Sequence, residues 1–285
     1  MNLLATATSS LGAILPLDLP FNNSAYAVGF YAPVIRCSQT NETEEHAIDA
    51  FLQEGMAAVD GTLIETDNAY FSFVPTHNST GGLTAVSHPR QHVPSKPMNE
   101  LWMSFLRPII NDQGERVKLR QYQICRPHNA SYSLQISQYH GLQNVSGKYE
   151  VGETISFPDE GPDEISNMTQ HAYTAFMWVM CDQLVGKLAW LKDTSISDKQ
   201  AAAQYGVIDS PIQRTSLLGS ADLDAYFEFD EEKVLYKGQN MSTALKLSDQ
   251  RLQDKAMARN RTLDVLIEEL SFNLTVSMMH NRLLT

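Results

Sequence analysis

Long apolar runs are missing from this chain, and so is any excess of positive charge. No run of about 18 uncharged apolar residues occurs, the length a membrane-spanning helix needs. The nearest candidate, Ala172 to Leu191, is interrupted by Asp182, Gln183 and Lys187. Lys and Arg number 21 against 33 Asp and Glu, giving a formal net charge of −12 and a pI of about 5.0. A phosphate backbone repels such a chain and no basic run offsets the balance, so nucleic acid is excluded as a partner. Cysteine is scarce as well: Cys37, Cys125 and Cys181 are the whole supply, with no CxxC or Cys/His spacing suited to zinc. HExxH, Gly-x-Ser-x-Gly and a Gly-rich phosphate loop are absent, and Asp193-Thr-Ser and Asp209-Ser-Pro fall short of Asp-Thr-Gly. The start, MNLLATATSSLGAIL, has no basic region and its apolar part is broken by Thr and Ser, so it makes a poor secretory leader.

What is abundant is the acceptor triplet for N-glycosylation. Asn-x-Ser/Thr occurs at Asn22, Asn41, Asn78, Asn129, Asn144, Asn167, Asn240, Asn260 and Asn273. With 15 Asn and 42 Ser plus Thr in 285 residues, roughly two would arise by chance. The excess points to a chain that passes through a glycosylating compartment. In that lumen three cysteines divide into one disulfide and one thiol. Cys37 and Cys125 each close a strand-like run, whereas Cys181 sits in an apolar helix, so Cys37–Cys125 is the preferred pair; three reduced, buried thiols are the alternative.

Hydrophobic content of 43%, with 11 Phe and 11 Tyr, supplies a sizeable core. Residues 1–22 read as an extended lead, and 23–285 as a single α+β domain. Ser24 to Arg36 is a strand with Pro33 marking an edge or bulge. Thr43 caps a helix over 44–58, with Ile48, Phe51, Leu52 and Met56 on one face. Thr62–Glu65 and Ala69–Val74 flank Thr-Asp-Asn as a hairpin. Residues at about 75–98, rich in Pro, Ser, Gly and His, form a flexible surface loop. Leu101–Leu106, Val117–Ile124, Ser131–His140 and Tyr149–Phe157 are strands, with Asn111-Asp-Gln-Gly turning between the first two. Residues at about 165–191 are apolar almost all round, the mark of a buried helix. Ser197 to Gln204 adds a short helix.

The last helix, at about 250–283, carries two apolar stripes at 100° spacing. Leu252, Leu263, Leu266, Ile267, Leu270 and Leu274 form one; Val265, Phe272 and Val276 form the other. Asp264, Glu268, Ser271 and Thr275 line one polar lane between them, and Thr262, Glu269 and Asn273 the second. The helix is therefore expected to be gripped on two sides, which makes Asn273 the least accessible acceptor and Asn260 a good one. The expected fold is α+β, an antiparallel sheet packed by the buried helix and the long C-terminal helix.

Catalytic, cofactor-binding and metal residues are all expected to be none. His88-Pro-Arg-Gln-His92, with His77 nearby, is the single histidine cluster, but Pro89 opposes the helix that would put two ligands on one face. Asp222-Leu-Asp224 opens like a calcium loop, yet Tyr226 and Phe227 stand where a ligand and the turn glycine belong, so a surface acidic patch is expected. Asp159, Glu160, Asp163 and Glu164 are explained as a charged turn before a helix. Trp102, Trp178 and Trp190 could stack on a sugar; strand and helix positions make them core residues.

Several segments taken together carry a resemblance: Phe30-Tyr-Ala-Pro-Val-Ile-Arg-Cys37, Tyr70-Phe-Ser-Phe-Val-Pro75, Glu100-Leu-Trp102, Cys125 followed by Asn129-Ala-Ser-Tyr132, and Glu268-Glu-Leu-Ser-Phe-Asn273-Leu-Thr-Val-Ser277. Over roughly residues 15–285 the chain resembles the extracellular region of a family of uncharacterised fungal multi-pass membrane proteins, some of them automatically labelled formylmethionine deformylase-like. The label implies an HExxH metal site, which this sequence lacks. The resemblance implies spans before and after the region, missing from this chain. The expected function is a glycosylated extracellular domain of a membrane protein with a non-enzymatic binding, sensing or structural role. It would stand on the outer side of the plasma membrane or in the secretory lumen, or be secreted. The rival expectation is a secreted hydrolase whose carboxylate and histidine site has an unfamiliar form.

Overall fold

The computed structural model describes residues 1–17, 19, 21, 23–54, 65–86, 98–158, 168–192, 205–207, 210–227 and 249–279. The fold is α+β, built on an antiparallel eight-stranded sheet. In chain order the elements are α1 (Asn2–Leu11), β1 (Ser24–Gln39), α2 (Glu42–Glu54), β2 (Glu65–His77), β3 (Leu83–Val86), β4 (Leu101–Ile110), β5 (Arg116–Tyr139), β6 (Leu142–Thr154), α3 (Met168–Leu184), β7 (Gly186–Lys192) and β8 (Tyr205–Val207). Three short 3₁₀ segments follow, Pro211–Arg214, Ser216–Gly219 and Ala221–Phe227. Two helices come last, α4 over 249–258 and α5 (Leu263–Met278).

The spine is β5, a 24-residue strand where two were expected. Along one side it pairs with β1 from Gln123 to Gln138; along the other it pairs first with β4, up to Cys125, and then with β6, from His128. Pro127, which has no N–H to give to a ladder, falls in the gap between those two partners. Pro33 is placed by the same logic. Its carbonyl faces away from β5, so the missing N–H costs β1 no pairing bond.

Strand alternation sorts the core. Leu101, Met103, Phe105, Tyr70, Val74 and Cys125 point to one face, where α1, α3, α5 and the 3₁₀ segments pack. Trp102, Phe73 and Ile124 point to the other and meet Ile48 of α2. A third cluster lies where β1, β5 and β6 meet α5, with Tyr132 stacked between Phe30 and Tyr149 and against Phe272.

Several expectations are corrected. Residues Asn2–Leu11 are helical rather than extended: Leu4, Ala5, Thr8 and Ser9 are buried, and Gly12 (φ 61°) ends the helix in the left-handed region. The α2 cap is Asn41, not Thr43. Asn41 Oδ1 accepts the Glu44 N–H at 3.0 Å while Glu44 Oε2 accepts the Asn41 N–H at 2.9 Å, a reciprocal capping box. Glu65–His77 is one strand whose pairing with β7 shifts register between Asn68 and Tyr70, so Asp67-Asn68 makes an irregularity instead of a turn. The loop expected at 75–98 is in part a β-hairpin, β2–β3; residues 87–97 lie outside the described residues. The buried helix stops at Leu184, and Gly186 (φ 143°) turns the chain into β7. Tyr70 and Ser72 of β2 donate their hydroxyls to the Leu184 carbonyl, at 2.9 and 2.7 Å, so the helix end stays satisfied in the core.

The expected single C-terminal helix is two helices. Arg259 and Asn260 both adopt positive φ (51° and 59°), a conformation few non-glycine residues adopt. Arg261 then folds back, its Nε donating to Ala258 O at 2.8 Å and its Nη2 to Met257 O at 3.1 Å. These are the last carbonyls of α4, and a guanidinium there closes the helix. The short helix expected at Ser197–Gln204 lies outside the described residues.

Candidate functional site

The polar groups concentrate where α5 meets the sheet. Strand β1 presents the backbone of Pro33, Ile35 and Cys37 away from β5, where an edge strand needs partners. Helix α5 supplies them from one lane, at three- and four-residue spacing. Ile35 N–H donates to Ser271 Oγ (3.0 Å), Cys37 N–H to Glu268 Oε1 (3.0 Å), and Thr275 Oγ1 donates to Pro33 O (2.9 Å). Arg36 Nη1 completes the seam on Glu268 Oε2 at 2.6 Å. Burial pushes the Glu268 carboxyl above its usual range, and the Cys37 N–H and Arg36 only partly offset it. Directly beneath, Cys37 and Cys125 face each other in the β1–β5 register and form the disulfide.

A second group locks α5 to the sheet from its N-terminus. Asp222, on the last 3₁₀ segment, accepts Arg107 Nε at 2.5 Å and Nη2 at 3.0 Å, and its Oδ2 also accepts the Leu263 N–H at 2.8 Å. The carboxylate is thus both the partner of a β4 guanidinium and the cap of α5. Asp224, two residues on, pairs with Arg251 and with Lys255 (2.9 Å), both on α4. Asp222-Leu-Asp224 is therefore neither a calcium loop nor a surface patch. It is a pair of anchors joining β4, α4 and α5, Asp222 buried and Asp224 partly so. Asp254 is also fully buried; burial raises its carboxyl, partly offset by Gln250.

The nucleophile inventory is short. Cys181 is a fully buried thiol on α3, and burial, reinforced by Asp182, pushes it far above the ordinary thiol range. Such a thiol is a packing residue. His77 stands at the exposed end of β2 against Gly81 O; His88 and His92 lie outside the described residues, as do Asp159, Glu160, Asp163 and Glu164. Trp102 is a core residue packed on Phe73, its Nε1 donating to Glu100 Oε2 at 2.6 Å. Among the described residues no group of three His, Cys, Asp or Glu is placed to hold a metal, and no helix is long and apolar enough to cross a membrane. A cleft between Gly12, Ser216, Met257, Arg261 and Asn273 has about 20 Å³ of water-accessible space, room for a water or two.

The acceptor asparagines fall into different surroundings. Asn41, Asn78, Asn144 and Asn260 are exposed. Asn78 Oδ1 accepts Thr80 Oγ1 at 2.7 Å, so within that triplet the hydroxyl already touches the carboxamide. Asn129 accepts the Tyr173 hydroxyl at 2.8 Å. Asn273 is 7% exposed and its Nδ2 donates to Gly12 O at 3.2 Å, tying α5 to the end of α1. Asn22, Asn167 and Asn240 lie outside the described residues. The alignment of Glu268, Ser271 and Thr275 was readable as a polar lane; that it meets a strand edge 230 residues away in sequence was not. Asp222 and Asp224 were visible as an Asp-x-Asp pair, but nothing in that spacing pointed to partners on β4, α4 and α5.

No family model, no curated protein and no solved structure matches this chain. The fold and its one disulfide define an α+β domain whose buried polar groups join helices to a strand edge.

Proposed function

We propose that this chain is a glycosylated extracellular domain of a membrane protein, serving as a binding, sensing or structural module rather than an enzyme. The observation that carries the proposal is the set of nine acceptor triplets in a chain that also closes a disulfide. The two signatures favour the same oxidising, glycosylating compartment. The resemblance to the extracellular region of fungal multi-pass membrane proteins supports the outer face of a membrane as the setting, with the bilayer reached through segments other than this one. The role is favoured by how the buried ionisable groups are used. Asp222 and Glu268 are each committed to a cation and a backbone N–H of a neighbouring element, and Asp224 to two cations, and the described cleft holds no substrate-sized volume.

The test is expression of the chain behind a secretion leader in a fungal host, followed by digestion with an N-glycosidase. A large increase in mobility is expected. No shift at all would sink the proposal.

A further inference from the structure

One end of the sheet is free of formal charge. Residues 19–35 and 127–147 contain no Asp, Glu, Lys or Arg, in a chain of net charge −12. These stretches form the outer parts of β1 and β5 and the start of β6, aligned in rows such as Ala25–Ser137–Asn144 and Ala27–Gln135–Ser146. One face of the three strands is inside, with Tyr26, Val28, Leu134, Ile136 and Val145 in the core. The other face is solvent-exposed and neutral, with small residues such as Ala25, Ala27, Gly29, Ser133 and Ser146 beside Gln135 and the 74% exposed Tyr31. At its tip His140 and Gly141 both take positive φ (51° and 78°), as a two-residue hairpin requires. That turn sets Tyr139 directly opposite Leu142, and the two are 52% and 78% exposed.

Asn144 stands on the same face as Leu142, two residues along β6, and opposite Ser137. Its diagonal neighbour across the strands is Tyr139, about 7–8 Å away and within reach of a long substituent. Asn144-Val145-Ser146 is an acceptor triplet, and Asn144 is exposed. A pyranose attached at Nδ2 has an apolar C–H face, and a tyrosine ring has a negative face that attracts it. The occupant of the bare apolar tip is therefore supplied by the chain's own modification.

We propose that Asn144 carries an N-linked glycan whose first N-acetylglucosamine lies over Leu142 and Tyr139 and covers the uncharged end of the sheet. The attachment takes its sugar from a lipid-pyrophosphate-linked oligosaccharide of the secretory pathway. Nδ2 bonds to the anomeric carbon, the carbon–oxygen bond to the pyrophosphate breaks, one proton leaves Nδ2, and the lipid pyrophosphate departs with the electron pair. The inference rests on the secretory-pathway reading above. It opposes two other occupants of the tip, a bilayer and a second copy of the chain, because a hydrated oligosaccharide two residues from Leu142 would hold either away.

The experiment is secretion of the whole chain from a glycosylating host, site-resolved mass spectrometry, and thermal melts of a set of variants. Asn144 is expected to be modified. Asn144→Gln and Ser146→Ala, both exposed changes, should each remove that glycan and lower Tm by about 2–4 °C, the effect of one stacked contact in a domain of this size. In a Tyr139→Ala/Leu142→Ala background the same removal should change Tm by less than about 1 °C. A bare Asn144 in a protein glycosylated at Asn41, Asn78 or Asn260 would overturn the site while leaving the compartment reading intact; absence of glycan everywhere would overturn that reading. An equal loss of Tm in both backgrounds would refute the packing. So would vesicle binding or dimerisation of the glycosylated protein that Leu142→Ala abolishes.

Discussion

Replacing Asp222 by alanine should destabilise the fold more than any surface substitution, and the cost can be built from the geometry. Its side chain is 2% exposed and makes three hydrogen bonds: two to Arg107 and one to the Leu263 N–H. Alanine leaves the N–H of fully buried Leu263 without an acceptor, a loss of about 1–3 kcal/mol. It also strands a guanidinium. Breaking a fully buried pair from one side costs about 3–5 kcal/mol, but the Arg107 side chain is 28% exposed and can turn partly to water, so the lower end applies. The expected total is about 4–6 kcal/mol, a drop in Tm of roughly 8–15 °C. Urea denaturation of wild type, Asp222→Ala, Arg107→Leu and the double variant gives the coupling directly. The double variant should fall short of the summed losses by about 1–2 kcal/mol. A loss below about 1 kcal/mol for Asp222→Ala, or additive losses, would refute the description of Asp222 as a shared anchor.

Three further outcomes are expected. Ser271→Ala and Thr275→Val each remove one bond between α5 and the β1 edge and should cost about 1 kcal/mol; in Ser271→Ala, amide exchange should accelerate at Ile35, and uniform protection would contradict the edge-covering role. Glu268 and Asp254 both have carboxyls raised in the fold by burial, so the folded state holds their protons better than the unfolded one. Their contribution to stability is full below the ordinary carboxylate range and is lost as pH rises through the raised folded values; Glu268→Gln combined with Asp254→Asn should flatten the stability–pH curve on that side, and an unchanged curve would show that burial does not govern these groups. Asn273, with its Nδ2 on Gly12 O and 7% exposure, should be the least glycosylated of the nine acceptors, and site-resolved mass spectrometry showing it fully occupied would mean that α1 does not dock on α5 as described.

The α5 sequence shows why some of this was readable in advance and some was not. The first stripe follows from 100° spacing, and Leu263, Leu266, Ile267, Leu270 and Leu274 are buried. Of the second, Val276 is in the core and Phe272 packs against it, but Val265 is 42% exposed, so the grip on that side is confined to the C-terminal half. Extending the first stripe back to Leu252 fails, because that residue is 68% exposed. Periodicity assumes one continuous axis, and the two left-handed residues at Arg259 and Asn260 reset the phase without interrupting the pattern of residue types. The apolar run at 165–191 misled for a related reason. A sequence hydrophobic all round satisfies a buried helix and a buried strand alike, and Gly186 alone marks the change from α3 to β7. The helix α1 gave less still, since Thr8 and Ser9 are buried only because α3 and α5 come to cover them.

The disulfide and the polar lane were found by different reasoning, yet they belong to one construction. Cys37 itself carries the last β1 amide that α5 accepts, and Cys125 closes the stretch of β5 shared by β1 and β4. The covalent bond therefore fixes β1 to the spine at the same level where Glu268 and Ser271 fix it to the helix. An edge strand held on one side by a ladder and a disulfide, and on the other by helix side chains, has little backbone left to pair with another chain over Pro33–Cys37. Further along, from Ser24 to Ala32, α5 makes no such hydrogen bonds to the strand among the described residues, and there β1 pairs with the part of β5 whose other side carries β6 and Asn144. Cover for one half of β1 comes from a helix. For the other half, Asn144 lies across β5 on β6, so the glycan proposed there would cover the face of the sheet rather than the β1 edge itself.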